Sequence, residues 1–157
     1  MKVILEKNYS NSKSNYDPLT KKTTIDYSYY SQTIQVVSID ATGKLEWVTP
    51  INKNQDYWSG VTSNKYSERF SMSSILKGND VYVFYMNFNF KPEKGGDKDD
   101  YLTAVSIDSK GKATTSLVQP IKDDIKIRYF LQGSKNQIIG NVEGKRNSNK
   151  VYSIGVK

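Results

Sequence analysis

Apolar and polar residues alternate with a period of two along most of this chain, and turn-forming Gly, Asn, Asp and Ser separate the alternating runs. That pattern predicts antiparallel strands joined by turns. No segment sustains the 3.6-residue stripe of an amphipathic helix. The nearest candidate is 67–77, but Phe70, Met72, Ser74 and Leu76 alternate as a strand would, so the segment is read as a strand. Phe84, Met86, Phe88 and Phe90 fall on one face of another strand and are expected in the core. The fold class is therefore all-β, built of antiparallel four-stranded meanders.

An internal repeat organises the strands. Val37-Ser38-Ile39-Asp40 followed by Gly43-Lys44 recurs as Val105-Ser106-Ile107-Asp108 followed by Gly111-Lys112, at an offset of 105 − 37 = 68. Each copy reads as strand, Asp-x-x-Gly turn, strand, because a turn Asp accepts bonds from backbone amides and Gly takes positive φ. A further strand pair follows each hairpin, about 69–76 with 81–89 in the first copy and 125–131 with 137–142 in the second. Four strands per unit is the content of one propeller blade. The period exceeds the 40 to 50 residues or so of common blades, and the excess is assigned to two polar loops, 55–66 and 91–100. The chain divides into an N-terminal strand and linker (1–27), a first unit (28–90), a polar loop (91–100), a second unit (101–144) and a C-terminal strand (145–157).

Composition narrows the chemistry. The 157 residues include no His and no Cys, which removes disulfides, thiolate metal sites and the Ser-His and Cys-His nucleophile systems. No phosphate-cradling glycine motif is present, and no cofactor is expected. The apolar fraction is low at 36%, but 12 Tyr, 5 Phe and 2 Trp supply an aromatic core. The formal charge of +7 raises a nucleic-acid reading. Its distribution argues otherwise: the only arginines are Arg69, Arg128 and Arg146, and the lysines are dispersed from Lys2 to Lys157 with one adjacent pair, Lys21 and Lys22. No nucleic acid and no membrane span are expected, and the apolar run Val3-Ile4-Leu5 is too short for a signal peptide.

The segment Ser-Ile-Asp-Ala-Thr-Gly-Lys-Leu-Glu-Trp at 38–47 resembles the aspartate, glycine-lysine and tryptophan signature of quinoprotein-like β-propeller blades. The second copy keeps the turn and has Thr115 at the offset of Trp47. The chain is also similar to envelope-associated propeller-type repeat proteins of bacteria. The resemblance implies about two blades, an incomplete ring, and an extracytoplasmic or envelope setting. Strands at both ends, 2–6 and 151–156, predict open sheet edges that meet a protein partner or a missing flanking segment.

Three features carry candidate chemistry. Asp97, Asp99 and Asp100 on a glycine-hinged loop are the oxygen-rich group nearest to a calcium site, but Lys94 and Lys98 sit among them and the spacing lacks an EF-hand's ligand set, so no metal is assigned. Asp40 and Asp108 repeat, as turn formers. Tyr57 and Trp58, expected in a loop between 54 and 64, are the candidate ligand-binding pair, since sugars and proteins both favour aromatic faces. The favoured function is a non-enzymatic β-repeat structural or binding module within a larger bacterial envelope or secreted assembly. The alternative is a carbohydrate-binding or carbohydrate-processing module, the latter needing a carboxylate pair across a cleft. A basic scaffold for anionic polymers ranks third.

Overall fold

The computed structural model describes residues 1–59, 72–90, 99–121, 126–132, 136–143 and 149–156. Ten strands run in chain order: β1 (Lys2–Asp17), β2 (Lys22–Ile39), β3 (Leu45–Ser59), β4 (Met72–Lys77), β5 (Asp80–Phe90), β6 (Asp99–Ile107), β7 (Ala113–Ile121), β8 (Lys126–Gln132), β9 (Gln137–Glu143) and β10 (Asn149–Gly155). No helix occurs among the described residues, and the protein is all-β, as the period-two alternation requires. Of the segment 67–77, Met72–Lys77 form strand β4, and 67–71 lie outside the described residues.

The strands form three antiparallel meanders, β1-β2-β3, β4-β5-β6-β7 and β8-β9-β10, with no closed ring, an arrangement consistent with an incomplete propeller. The four-stranded sheet joins β4 and β5 to β6 and β7 across the 91–98 segment. Hydrogen bonding thus groups the strands half a unit out of phase with a hairpin-then-pair unit. Strands adjacent in sequence pair through whichever connection is geometrically able to close, whether or not it is short.

The central sheet is covered on both faces. Val81, Val83 and Tyr85 of β5 with Val105 and Ile107 of β6 pack on Ile34, Val36 and Ile51 of the first sheet. From the opposite face, Phe84 and Met86 of β5 with Leu102 of β6 pack on Ile138 of β9, with Ile154 and Val156 alongside. Residues 81 to 86 consequently alternate between two cores, which explains their unbroken hydrophobicity. Full burial of a side chain such as Val83, which has no exposed surface, contributes about 1.5–3 kcal/mol.

Two expectations are revised. The N-terminal strand does not stop at Glu6: β1 runs to Asp17 and pairs along its length with β2, so the expected linker is a long hairpin turning at 18–21. Serine, asparagine and lysine in this stretch read as linker, yet the register holds because every polar residue has a backbone partner across the ribbon. Residues 55–59 are likewise strand rather than loop, because β2 continues beside them.

Candidate functional site

The two Asp-x-x-Gly turns share the same set of backbone hydrogen bonds. In the first, the Asp40 N–H donates to Lys44 O at 2.9 Å and the Gly43 N–H to Asp40 O at 3.2 Å. In the second, Asp108 donates to Lys112 O at 3.1 Å and Gly111 to Asp108 O at 3.0 Å. Each carboxylate accepts from backbone amides: Asp40 Oδ1 from Thr42 and Lys44 at 2.8 and 2.9 Å, Asp108 Oδ1 from Lys110 and Lys112 at 2.9 Å each. The Thr42 hydroxyl also donates to Asp40 Oδ1 at 2.7 Å, and this bond, with that from the Lys44 amide, holds the Asp40 carboxyl below its ordinary range, as the Lys112 amide bond does for Asp108. Gly43 and Gly111 sit at φ of 87° and 83°, a conformation that disfavours a Cβ.

Their surroundings differ. Trp47 of β3 lies against Gly111, where an added Cβ would stand 2.8 Å from the indole Cδ2. The indole N–H donates to Ser109 O at 3.0 Å, and the Thr49 hydroxyl donates to Gly111 O at 2.6 Å. The Lys2 ammonium stands 4.3 Å from the Trp47 ring centroid. At Gly43 an added Cβ meets nothing within 4 Å among the described residues. The position of Trp47 in the ladder, opposite Ser38, is matched in the central sheet by Thr114 opposite Ser106. A bulge at Glu46 places it one residue away from Thr115, the residue at the simple offset.

Between the same two sheets lies a buried polar cluster that no sequence motif announces. Lys53 of β3, 3% exposed, donates to the Glu6 carboxylate and, at 2.8 Å, to the Ser31 hydroxyl, which itself donates to Glu6 Oε1 at 2.8 Å. Burial pushes the Lys53 pKa down, and the hydrogen bond and charge of Glu6 oppose that shift. A lysine against a serine hydroxyl has the parts of a nucleophile and its base. Here the ammonium is committed to Glu6, and Ser31 has no exposed surface. Gln55 beside it donates to Met86 O, bridging the sheets. The sequence signal was a lysine at an inward position of β3, visible only once the register is known.

Beyond the cluster, the β1–β2 hairpin carries tyrosines. Tyr9 and Tyr30 stack with centroids 4.6 Å apart, Tyr27 and Tyr29 stack at 6.3 Å, and Tyr16 is exposed nearer the turn. The expected ligand-binding pair falls beside them and on strand β3, not in a loop: the backbone of Tyr57 pairs with Tyr29 and that of Trp58 with Ser28. Of the acidic trio, Asp97 lies outside the described residues, while Asp99 and Asp100 open β6, opposite Phe90 and Ile121. Among the described residues no three His, Cys, Asp or Glu side chains group to hold a metal ion. No helix among them is long and apolar enough to cross a membrane. Neither family models, curated proteins nor solved structures include one that matches this chain.

Proposed function

We propose that the chain is a non-enzymatic β-sheet module with a structural or binding role, working within a larger bacterial envelope or secreted assembly. One observation carries this reading: its sheets stack face to face through a turn-docking contact, Trp47 and Thr49 on the 108–112 turn, a means of building an extended assembly from like units. The Asp-x-x-Gly-Lys turns and the Trp are the elements that resemble quinoprotein-like blades, and the similarity to envelope-associated propeller-type repeat proteins supplies the envelope setting. Ionisable chemistry is spent on packing, as in the Lys53–Glu6–Ser31 cluster. A screen of chromogenic ester, phosphate and glycoside substrates tests the reading. No turnover is expected; turnover abolished by Ser31→Ala or Glu6→Gln would overturn it.

The alternative, a carbohydrate-binding module, is favoured by a separate observation. Tyr9, Tyr16 and Tyr27 are exposed on the hairpin, so sugar rings have aromatic faces to stack on, and the backbone of Tyr57 and Trp58 is in register with its second strand. A glycan array reports on this directly, with binding lost in a Tyr9→Ala/Tyr27→Ala variant.

A further inference from the structure

We infer that the outward face of the β1-β2-β3 sheet, with the 40–44 turn at its rim, is a docking surface for a β-sheet of a separate polypeptide whose outermost strand carries Trp-x-Thr. The inference rests on the module reading and names its surface and partner.

The central sheet supplies the template. Its face toward the first sheet is made by three cross-strand pairs, Val81 with Ile107, Val83 with Val105 and Tyr85 with Thr103, and none of these residues is more than 2% exposed. The first sheet repeats the pattern on its opposite face. Met1 exchanges backbone hydrogen bonds with Ile39, Val3 pairs with Val37, and Leu5 pairs with Gln35. The β2 members stand at the same offset as the turns, 103 − 35 = 68. Five of the six positions are apolar, where an outer sheet face in water would alternate to polar. Leu5 is nevertheless 52% exposed, and β3 adds Leu45 at 57% and Val48 at 46%. Along this face the pairs past Leu5 and Gln35 are Lys7 with Gln32, Tyr9 with Tyr30, Asn11 with Ser28 and Lys13 with Asp26, so apart from the stacked tyrosines the face turns polar beyond the region that matches the template.

The partner's chemistry follows from what covers the template. There Trp47 lies flat on the glycine and donates to the carbonyl of Ser109, and Thr49 donates to the carbonyl of Gly111. The first turn presents the equivalent carbonyls, those of Ala41 and Gly43, around a glycine of the same φ with nothing within 4 Å among the described residues. A second copy of this chain does not bring the missing group. Its Trp47 is engaged on its own Gly111, the matching positions of β7 are Thr114 and Ser116, and Trp58 is followed by Ser59-Gly60.

The test uses the intact chain, isotope-labelled for amide NMR, titrated with a cyclised hairpin peptide of the sequence of residues 37–51, which carries Trp-Val-Thr. Shifts are expected at Val3, Leu5, Val37, Gly43 and Val48. Binding should fall at least about tenfold when the peptide's Trp is replaced by Ala, as for a central aromatic anchor. It should fall similarly in Gly43→Asn, where Asn tolerates the positive φ and fills the seat. Absence of binding, or binding that Gly43→Asn leaves unchanged, overturns the inference. Sedimentation of the chain alone adds one more outcome: self-association abolished by Leu5→Asp would show that a second copy is the occupant, against the inference. None of these results bears on the substrate screen, so the module reading and this surface fail separately.

Discussion

The turns at 40–44 and 108–112 share the Asp-x-x-Gly-Lys pattern, amide-to-carboxylate bonds and glycine conformation, yet one is docked by Trp47 and Thr49 of the neighbouring sheet and the other is a rim open to solvent. The contrast separates two jobs that the same residues do. The aspartate and glycine form the turn and act locally wherever they stand. The glycine's second use, leaving room for an indole, is filled among the described residues at Gly111, where β3 brings Trp47 across.

The comparison extends to the faces behind the turns, and there the largest effect is expected. Tyr85→Ala removes a side chain 2% exposed between the sheets and should cost about 3–5 kcal/mol in urea unfolding. Leu5→Ala, at the matching position of the first sheet, should cost under about 1 kcal/mol. Equal losses would mean that the outward face is covered in solution. Trp47→Ala should cost about 3 kcal/mol, from lost burial, the bond to Ser109 and the contact with Lys2. Both Gly111→Asn and Gly43→Asn carry the strain of a side chain at positive φ, but Gly111→Asn should cost about 1–3 kcal/mol more, since its side chain also collides with the indole. In the Trp47→Ala background the Gly111→Asn penalty should shrink, and full additivity would break the docking account.

The smallest effect is one that the two turns share. Asp40 and Asp108 have folded pKa values below the ordinary 3.8, so their contribution is present above that pH and is lost as pH falls through the folded values. Asp40→Asn and Asp108→Asn should each flatten the acid limb of the stability curve, measured by thermal unfolding from pH 5 downward, and to a similar degree. The Lys53 shift has the opposite pH range. Its folded pKa lies below 10.5, so the unfolded chain binds more protons between the two values and stability rises with pH there.

Much of the fold was legible because its signals are local. The period of two located the strands, Asp40 and Asp108 located the turns, and the 68-residue offset paired them. The assignment of Phe84 and Met86 to the core was correct, but reading one face of β5 as core missed Val81, Val83 and Tyr85 on the other. A strand buried on both sides carries no alternation to read. A third version of the repeated strand also passed unseen: Ser153-Ile154-Gly155 in β10 stands where Ser106-Ile107-Asp108 stands in β6, without the aspartate that made the other two conspicuous. Of the candidate ligand pair, the residues were legible and the setting was not, because the polar stretch before Tyr57 resembles a loop and is held as strand by pairing with β2.

The sequence by itself determined the strand content, the two turns and the exclusion of histidine and cysteine chemistry, since each depends on residue identity or on neighbours a few positions away. The tertiary structure alone decided that Trp47 belongs to Gly111, 64 residues on, that Lys53 meets Glu6 and Ser31, and that the two like turns stand in unlike places. Those contacts depend on register and on which sheet faces which. A bulge of one residue is enough to exchange the faces, and no local pattern records it.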